Sequence, residues 1–96
     1  MYKEIHSTEI STSVRVTDVL TIRTRNSVYE FFVIDPVRAY GLATGGSIGN
    51  CPIAAFICYP TTLQPGFKAR LLIETARGLR YITTSTIKAI KHFRAE

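Results

Sequence analysis

Residues 14–36 read VRVTDVLTIRTRNSVYEFFVIDP, and the fold turns on them. From Val14 to Thr24 the even positions are Val, Val, Asp, Leu, Ile and Thr, while Arg15, Thr17, Val19, Thr21 and Arg23 fill the odd ones. An alternation of period two is the signature of a strand with one face covered. Residues 28–34 are aromatic and β-branched, which suits a second strand. A two- or four-residue loop centred on Asn26-Ser27 joins the two as a hairpin. That loop sets Thr24 opposite Tyr29, Ile22 opposite Phe31 and Leu20 opposite Val33 on one face. On the other face it sets Arg23 opposite Glu30, Thr21 opposite Phe32 and Val19 opposite Ile34. Asp18 then falls across from Asp35, an unfavourable like-charge pair, so the ladder is expected to end there with both acids solvated. Pro36 supports that ending, because proline donates nothing to a ladder.

Working outward, residues 36–52 hold Gly41, Gly45, Gly46 and Gly49 between two prolines and read as a loop with one short strand at 39–43. Residues 53–59 are apolar at every position, as in a central strand buried on both faces. A second loop is expected over 60–66. Residues 67–74 then alternate again, and the connection Ala76-Arg77-Gly78 predicts a three-residue hairpin loop. That register turns Phe67 and Tyr81 inward, pairs Ile73 with Tyr81, and puts Glu74 against Arg80 outside. At the end of the chain, Ser85 is a candidate cap for a short helix, but the hydroxyl and β-branched residues at 83–86 favour a strand.

The chain has 96 residues, 46% of them hydrophobic, enough for one core without staples. The expected architecture is all-β, a small SH3-like or Sm-like barrel of five to six strands over residues 14–96. A polar leader over 1–13 precedes it, and a two-sheet roll is the alternative. The leader lacks the apolar stretch of a secretory signal, and no apolar run approaches the ~20 residues that span a bilayer. A cytoplasmic protein with no membrane partner is expected.

Three short segments, Thr24-Arg25-Asn26-Ser27-Val28-Tyr29, Gly45-Gly46 and Thr84-Ser85-Thr86-Ile87, resemble a pattern found in a group of small, solitary bacterial proteins of unassigned function. There it reads T-x-N-S-x-Y, a Gly-Gly loop and a closing T-S-x-I, and the likeness covers most of residues 19–91. The resemblance implies a compact β fold and no activity. The last strand is also similar to the closing strand of SH3-like barrels, which bears on fold alone.

Chemistry-bearing residues are few. Cys51 and Cys58 are separated by an odd number of positions, so one extended segment points them apart, and free buried thiols are expected. With His6 and His92 as the remaining candidates, no zinc-ligand spacing is present and no metal or cofactor is expected. Asp18 and Asp35 lack the third polar partner that acid–base catalysis needs, and neither cysteine has a base nearby in sequence. No enzyme is expected. Gly45, Gly46 and Ser47 are the candidates for weak anion or small-ligand binding through backbone donors, although no lysine-serine/threonine pair follows them.

The net charge is +5. The excess lies in the last third, where Lys68, Arg70, Arg80, Lys88 and Lys91 form a candidate nucleic-acid-binding set. The outer face of the first hairpin carries Val19, Val28, Phe32 and Ile34, which stay wet on a lone barrel. Either the leader or the Gly-rich loop folds over them, or a second copy does. The leading expectation is a non-enzymatic binding or structural module that forms a homo-oligomer, most simply a dimer, through those four residues.

Overall fold

Alternating and β-branched stretches become strands along most of the chain in the computed structural model, which describes residues 2–58 and 62–94, Tyr2 by its backbone alone. In chain order the elements are β1 (Tyr2–Ile5), β2 (Thr8–Glu9), a helical turn α1 (Ile10–Ser13), β3 (Val19–Thr24), β4 (Val28–Asp35) and β5 (Tyr40–Gly45). After a 3₁₀ turn (Gly46–Ile48) come β6 (Gly49–Cys58), β7 (Thr62–Leu63), β8 (Arg70–Thr75), β9 (Gly78–Thr83) and β10 (Ile87–Phe93). The close of the apolar run at Tyr59 and the opening of the next loop at Pro60 lie outside the described residues.

Eight strands form one sheet in the order β1-β10-β3-β4-β5-β6-β8-β9, and β2 pairs with β7 beside it. Every pairing is antiparallel. The sheet keeps two edges, β1 and β9, and does not close on itself. It curls around a core in which Ile10, Leu20, Ile22, Phe31, Val33, Leu63, Ile87 and Ile90 are almost wholly buried. Ile10 and the buried Thr8 bring the segment read as a polar leader into this core, while β1 extends the sheet along β10.

Between β9 and β10 the chain bends at residues 84–86 without leaving extended structure for long. Across the bend it pairs with the segment leading into β8: Thr84 N–H donates to Ala69 O (2.9 Å), and Ile87 N–H to Phe67 O (2.8 Å). After the bend it pairs with β3, beginning where Arg25 N–H reaches Thr86 O at 2.9 Å. One continuous run therefore serves both halves of the sheet.

Several sequence expectations need correction. The first hairpin forms, but Ile22 faces Tyr29, Leu20 faces Phe31 and Val19 faces Phe32, a shift of two positions. The cause is Thr24, whose hydroxyl donates to Ser27 O (3.0 Å) and accepts from Ser27 N–H (3.1 Å), closing the turn around Arg25-Asn26. A shift by two keeps every side chain on its expected face. The second hairpin slips by one: Thr75 faces Gly78, so the loop holds only Ala76 and Arg77, and Leu72 rather than Ile73 faces Tyr81. A one-residue slip inverts faces, so Tyr81 lies outside, and Phe67 is exposed as well. Residues 36–52 are not mainly loop, since β5 and the start of β6 occupy most of them. β6 is an interior strand, yet Ala54 and Phe56 are only half-buried, so one of its faces is not covered. The chain ends as strand β10 rather than helix.

Candidate functional site

Cross-strand register turns scattered apolar letters into two continuous rows on the outer face. Val19, Phe32, Leu42 and Ala54 stand opposite one another across β3, β4, β5 and β6. One step along, Tyr40, Phe56, Leu72 and Tyr81 do the same across β5, β6, β8 and β9. The Tyr40 and Phe56 rings pack with centroids 4.8 Å apart. Phe32 and Ile34 are each 39% exposed, high values for large apolar side chains on an interior strand, and Tyr81 on the edge strand β9 is 59% exposed. Two hollows indent this surface: one of about 470 Å³ between Tyr40, Phe56, Leu72 and Leu79, and one of about 410 Å³ beside Val19, Phe32, Leu42 and Pro52.

Neither of the internal covers expected for Phe32 lies over it. The N-terminal strand sits at the sheet edge against β10. The Gly-rich segment is β5 and the turn after it, packed on the core side against Tyr29. Of the four residues singled out in sequence, Val19, Phe32 and Ile34 belong to this apolar surface, and Val28 lies further toward the turn, opposite Arg23. The sequence reading missed Tyr40, Leu42, Phe56 and Leu72, because it gave the first two an isolated short strand with no neighbour assigned, counted Phe56 as core, and left Leu72 on an outer face without a partner row.

The three motif segments come together around the first turn. Ser85 Oγ accepts from Asn26 N–H (3.1 Å) and donates to Thr24 Oγ1 (2.9 Å). Thr24, buried, thus has its whole hydrogen-bonding capacity filled. On the neighbouring strand, a side chain at Gly45 would strike the Val28 carbonyl, and one at Gly46 would strike the Tyr29 ring. Both glycines have positive φ, +103° and +50°. Close backbone packing accounts for Gly45 and Gly46, and Ser47 follows them in the exposed turn.

The candidate basic set is divided by the fold. Lys68 and Arg70 precede and open β8, and Arg70 lies over the Tyr81 ring at 5.0 Å. Arg80 faces Ile73 on the edge strand, with its side chain on the opposite face from Arg70, because of the one-residue slip. Lys91 stands between Glu4 and Thr21, and Lys88 sits in the bulge between Ile87 and Ala89.

Asp18 is a further correction. Rather than a solvated acid facing Asp35, it is 1% exposed, and its backbone carbonyl receives Val33 N–H at 2.9 Å. Its Oδ2 accepts from His92 Nε2 (2.7 Å), Arg15 N–H (2.9 Å) and Arg94 Nε (3.3 Å). Burial pushes this carboxyl up, but the bonds from His92, Arg15 and Arg94 outweigh it and hold it below the ordinary carboxylate value. Arg94 also donates to Ser13 O at 3.1 Å, so the cluster ties the end of α1 and the residues after it to the far end of β10. His92 is thereby committed to Asp18, and Cys51 and Cys58 are free, Cys51 exposed rather than buried as expected. Among the described residues, no three His, Cys, Asp or Glu side chains gather in a way that would hold a metal ion, and no helix is long and apolar enough to cross a membrane.

Compared with family models, curated proteins and solved structures, the chain finds no match.

Proposed function

We propose that this protein is a non-enzymatic structural or binding module that assembles as a homodimer, two copies meeting through the outer face of the sheet. The observation that carries this reading is the pair of adjacent apolar rows led by Phe32 and Phe56, uncovered by any described part of the chain. An apolar patch of that extent is a usual mark of an interface. The proposal widens the expected contact from the first hairpin to six strands. Their spacing of ~4.8 Å and a length of ~20 Å give a footprint on the order of 500 Å² per copy, or about 1,000 Å² for the pair, the lower range of specific interfaces.

Charge placement favours a second copy of this chain over an unrelated partner. Exposed Glu30 flanks the apolar rows on β4, and exposed Arg70 flanks them on the far side, at the start of β8. A two-fold axis lying in the interface across the line between them sets Glu30 of each copy against Arg70 of the other. Such isologous reciprocity is what a symmetric dimer requires. We also infer that the curled sheet is an open variant of a small SH3-like barrel, a reading supported by the bonds that link residues 66–69 to residues 84–87.

Sedimentation at ~50 µM is expected to find a dimer, and Phe32→Glu a monomer. Glu30→Arg and Arg70→Glu should each weaken association, and the double variant should recover most of it. A wild-type monomer at that concentration removes the proposal. Single variants that weaken association without mutual rescue remove the two-fold arrangement.

A further inference from the structure

The bend between β9 and β10 gathers cations that the sequence keeps far apart. Arg23 faces Ala89 across the β3–β10 ladder, and Arg25 bonds Thr86 O through its backbone. Lys68 lies between Phe67, whose carbonyl receives Ile87 N–H, and Ala69, whose N–H donates to Thr84 Oγ1 at 2.9 Å. Lys88 occupies the bulge itself. All four side chains are exposed. The three segments that supply them, 23–27, 64–69 and 83–89, contain no Asp or Glu. Among the described residues the ion pairs are Arg38 with Asp35 and His92 and Arg94 with Asp18, so none of the four cations is neutralised by one. Beside them stand Phe67, 56% exposed, and the polar side chains of Asn26, Ser27, Ser85 and Thr86.

We infer that this rim, formed by Arg23, Arg25, Lys68 and Lys88 around the bend, binds the phosphate backbone of single-stranded nucleic acid, with Phe67 as a stacking surface for a base. The chemistry follows from two features together. Cations outside any ion pair, supplied by segments that carry no acid, draw a polyanion by releasing its counterions. Glu30, diagonal to Arg23 across the β3–β4 ladder, leaves the other three cations unopposed by an acid on their own segments. An exposed aromatic beside them offers a base the π-face that a lipid headgroup does not use. The assignment differs from the basic set legible in sequence, since Arg23 and Arg25 join it from the first hairpin while Arg80 and Lys91 lie elsewhere in the sheet. It does not depend on the dimer, because Arg70 and the apolar rows take no part.

Fluorescence anisotropy of the full chain with labelled oligo(dU) and oligo(dT) of about 12 nucleotides, at roughly 50 and 200 mM salt, tests the assignment. Binding at low salt is expected. The triple variant Arg25→Gln, Lys68→Gln, Lys88→Gln should weaken it more than about tenfold and reduce the slope of log affinity against log salt by about 2. A control triple of equal charge change, Lys3→Gln, Arg77→Gln, Arg80→Gln, should leave the affinity within about twofold. Phe67→Ala should cost single strands about fivefold or more and leave a duplex of the same length unaffected. Should the rim triple not fold by circular dichroism, the three single variants carry the test, each lowering the slope by about 0.7. No binding at low salt overturns the assignment, and so does an equal effect of the two triples. Capture by phosphatidylserine vesicles without binding of either oligonucleotide overturns it in favour of a lipid surface.

Discussion

Asp18 puts a carboxylate among β3, β10 and the segment after α1, where it receives His92, Arg15 and Arg94. Nothing near Asp18 in the sequence announces this, since His92 and Arg94 lie 74 and 76 positions away. Like-charge pairing with Asp35 was the only local argument available, and it pointed the side chain at solvent. The pH dependence has a definite sign. A carboxyl held below its ordinary 3.8 in the folded chain stabilises the fold fully above that pH. The contribution disappears as pH falls from there through the lower folded value. Asp18→Asn removes it: about 2 kcal/mol should be lost at pH 7, less than for a wholly buried pair because Arg94 is partly solvated. Urea unfolding of both proteins from pH 7 downward checks this. The gap between them should narrow only below pH ~4. A gap that is constant with pH shows that packing, not the charge, sets the cost.

At the scale of elements, the two hairpins show what alternation reveals and what it hides. Period two assigns faces, and the first hairpin kept its faces through a two-residue shift because parity was preserved. The second lost them to a single position, when Gly78 entered the strand with φ +109° instead of the loop. Turn chemistry decides such slips. In the first hairpin it is the Thr24 hydroxyl, with Ser85 from the other end of the chain, that selects the register. No local pattern contains that partnership, although the resemblance motif had already grouped the residues. The glycines of β5 and the turn after it give a direct test. Gly45→Ala forces a Cβ against the Val28 carbonyl at φ +103°, whereas at Gly49, with φ +95°, a Cβ meets open space. Gly49→Ala should cost about 1 kcal/mol from backbone conformation alone, and Gly45→Ala about 3 kcal/mol. Equal midpoints for the two variants in urea refute the close packing of β4 on β5.

Taken whole, the molecule has two surfaces of opposite character on one sheet. The apolar rows cross the middle of the outer face, and the basic rim surrounds the bend where residues 66–69, 84–87 and the first turn meet. The strands and most of the core were legible, because Leu20, Ile22, Leu71 and Ile73 fall at period two among charged and hydroxyl residues, and the hairpin register carries that parity onto Phe31 and Val33. The surfaces were not, since a row across a sheet joins residues from strands whose order no single sequence states. Tyr40 and Phe56 become neighbours only once β5 lies between β4 and β6.

The bend at residues 84–86 also bears on time. Ser85 reaches Asn26 and Thr24 across 59 and 61 positions of chain, so its bonds close a long loop, and such contacts tend to form late because their entropic cost precedes any return. Ser85→Ala should therefore speed unfolding about fivefold and leave the refolding rate nearly unchanged, as read from the two limbs of a chevron. A refolding limb that slows instead would make the bend an early nucleus. On the expected result, the joint between the two halves of the sheet is the last part to set and the first to come undone, and the lifetime of the folded state is governed by a serine and two residues of the first turn.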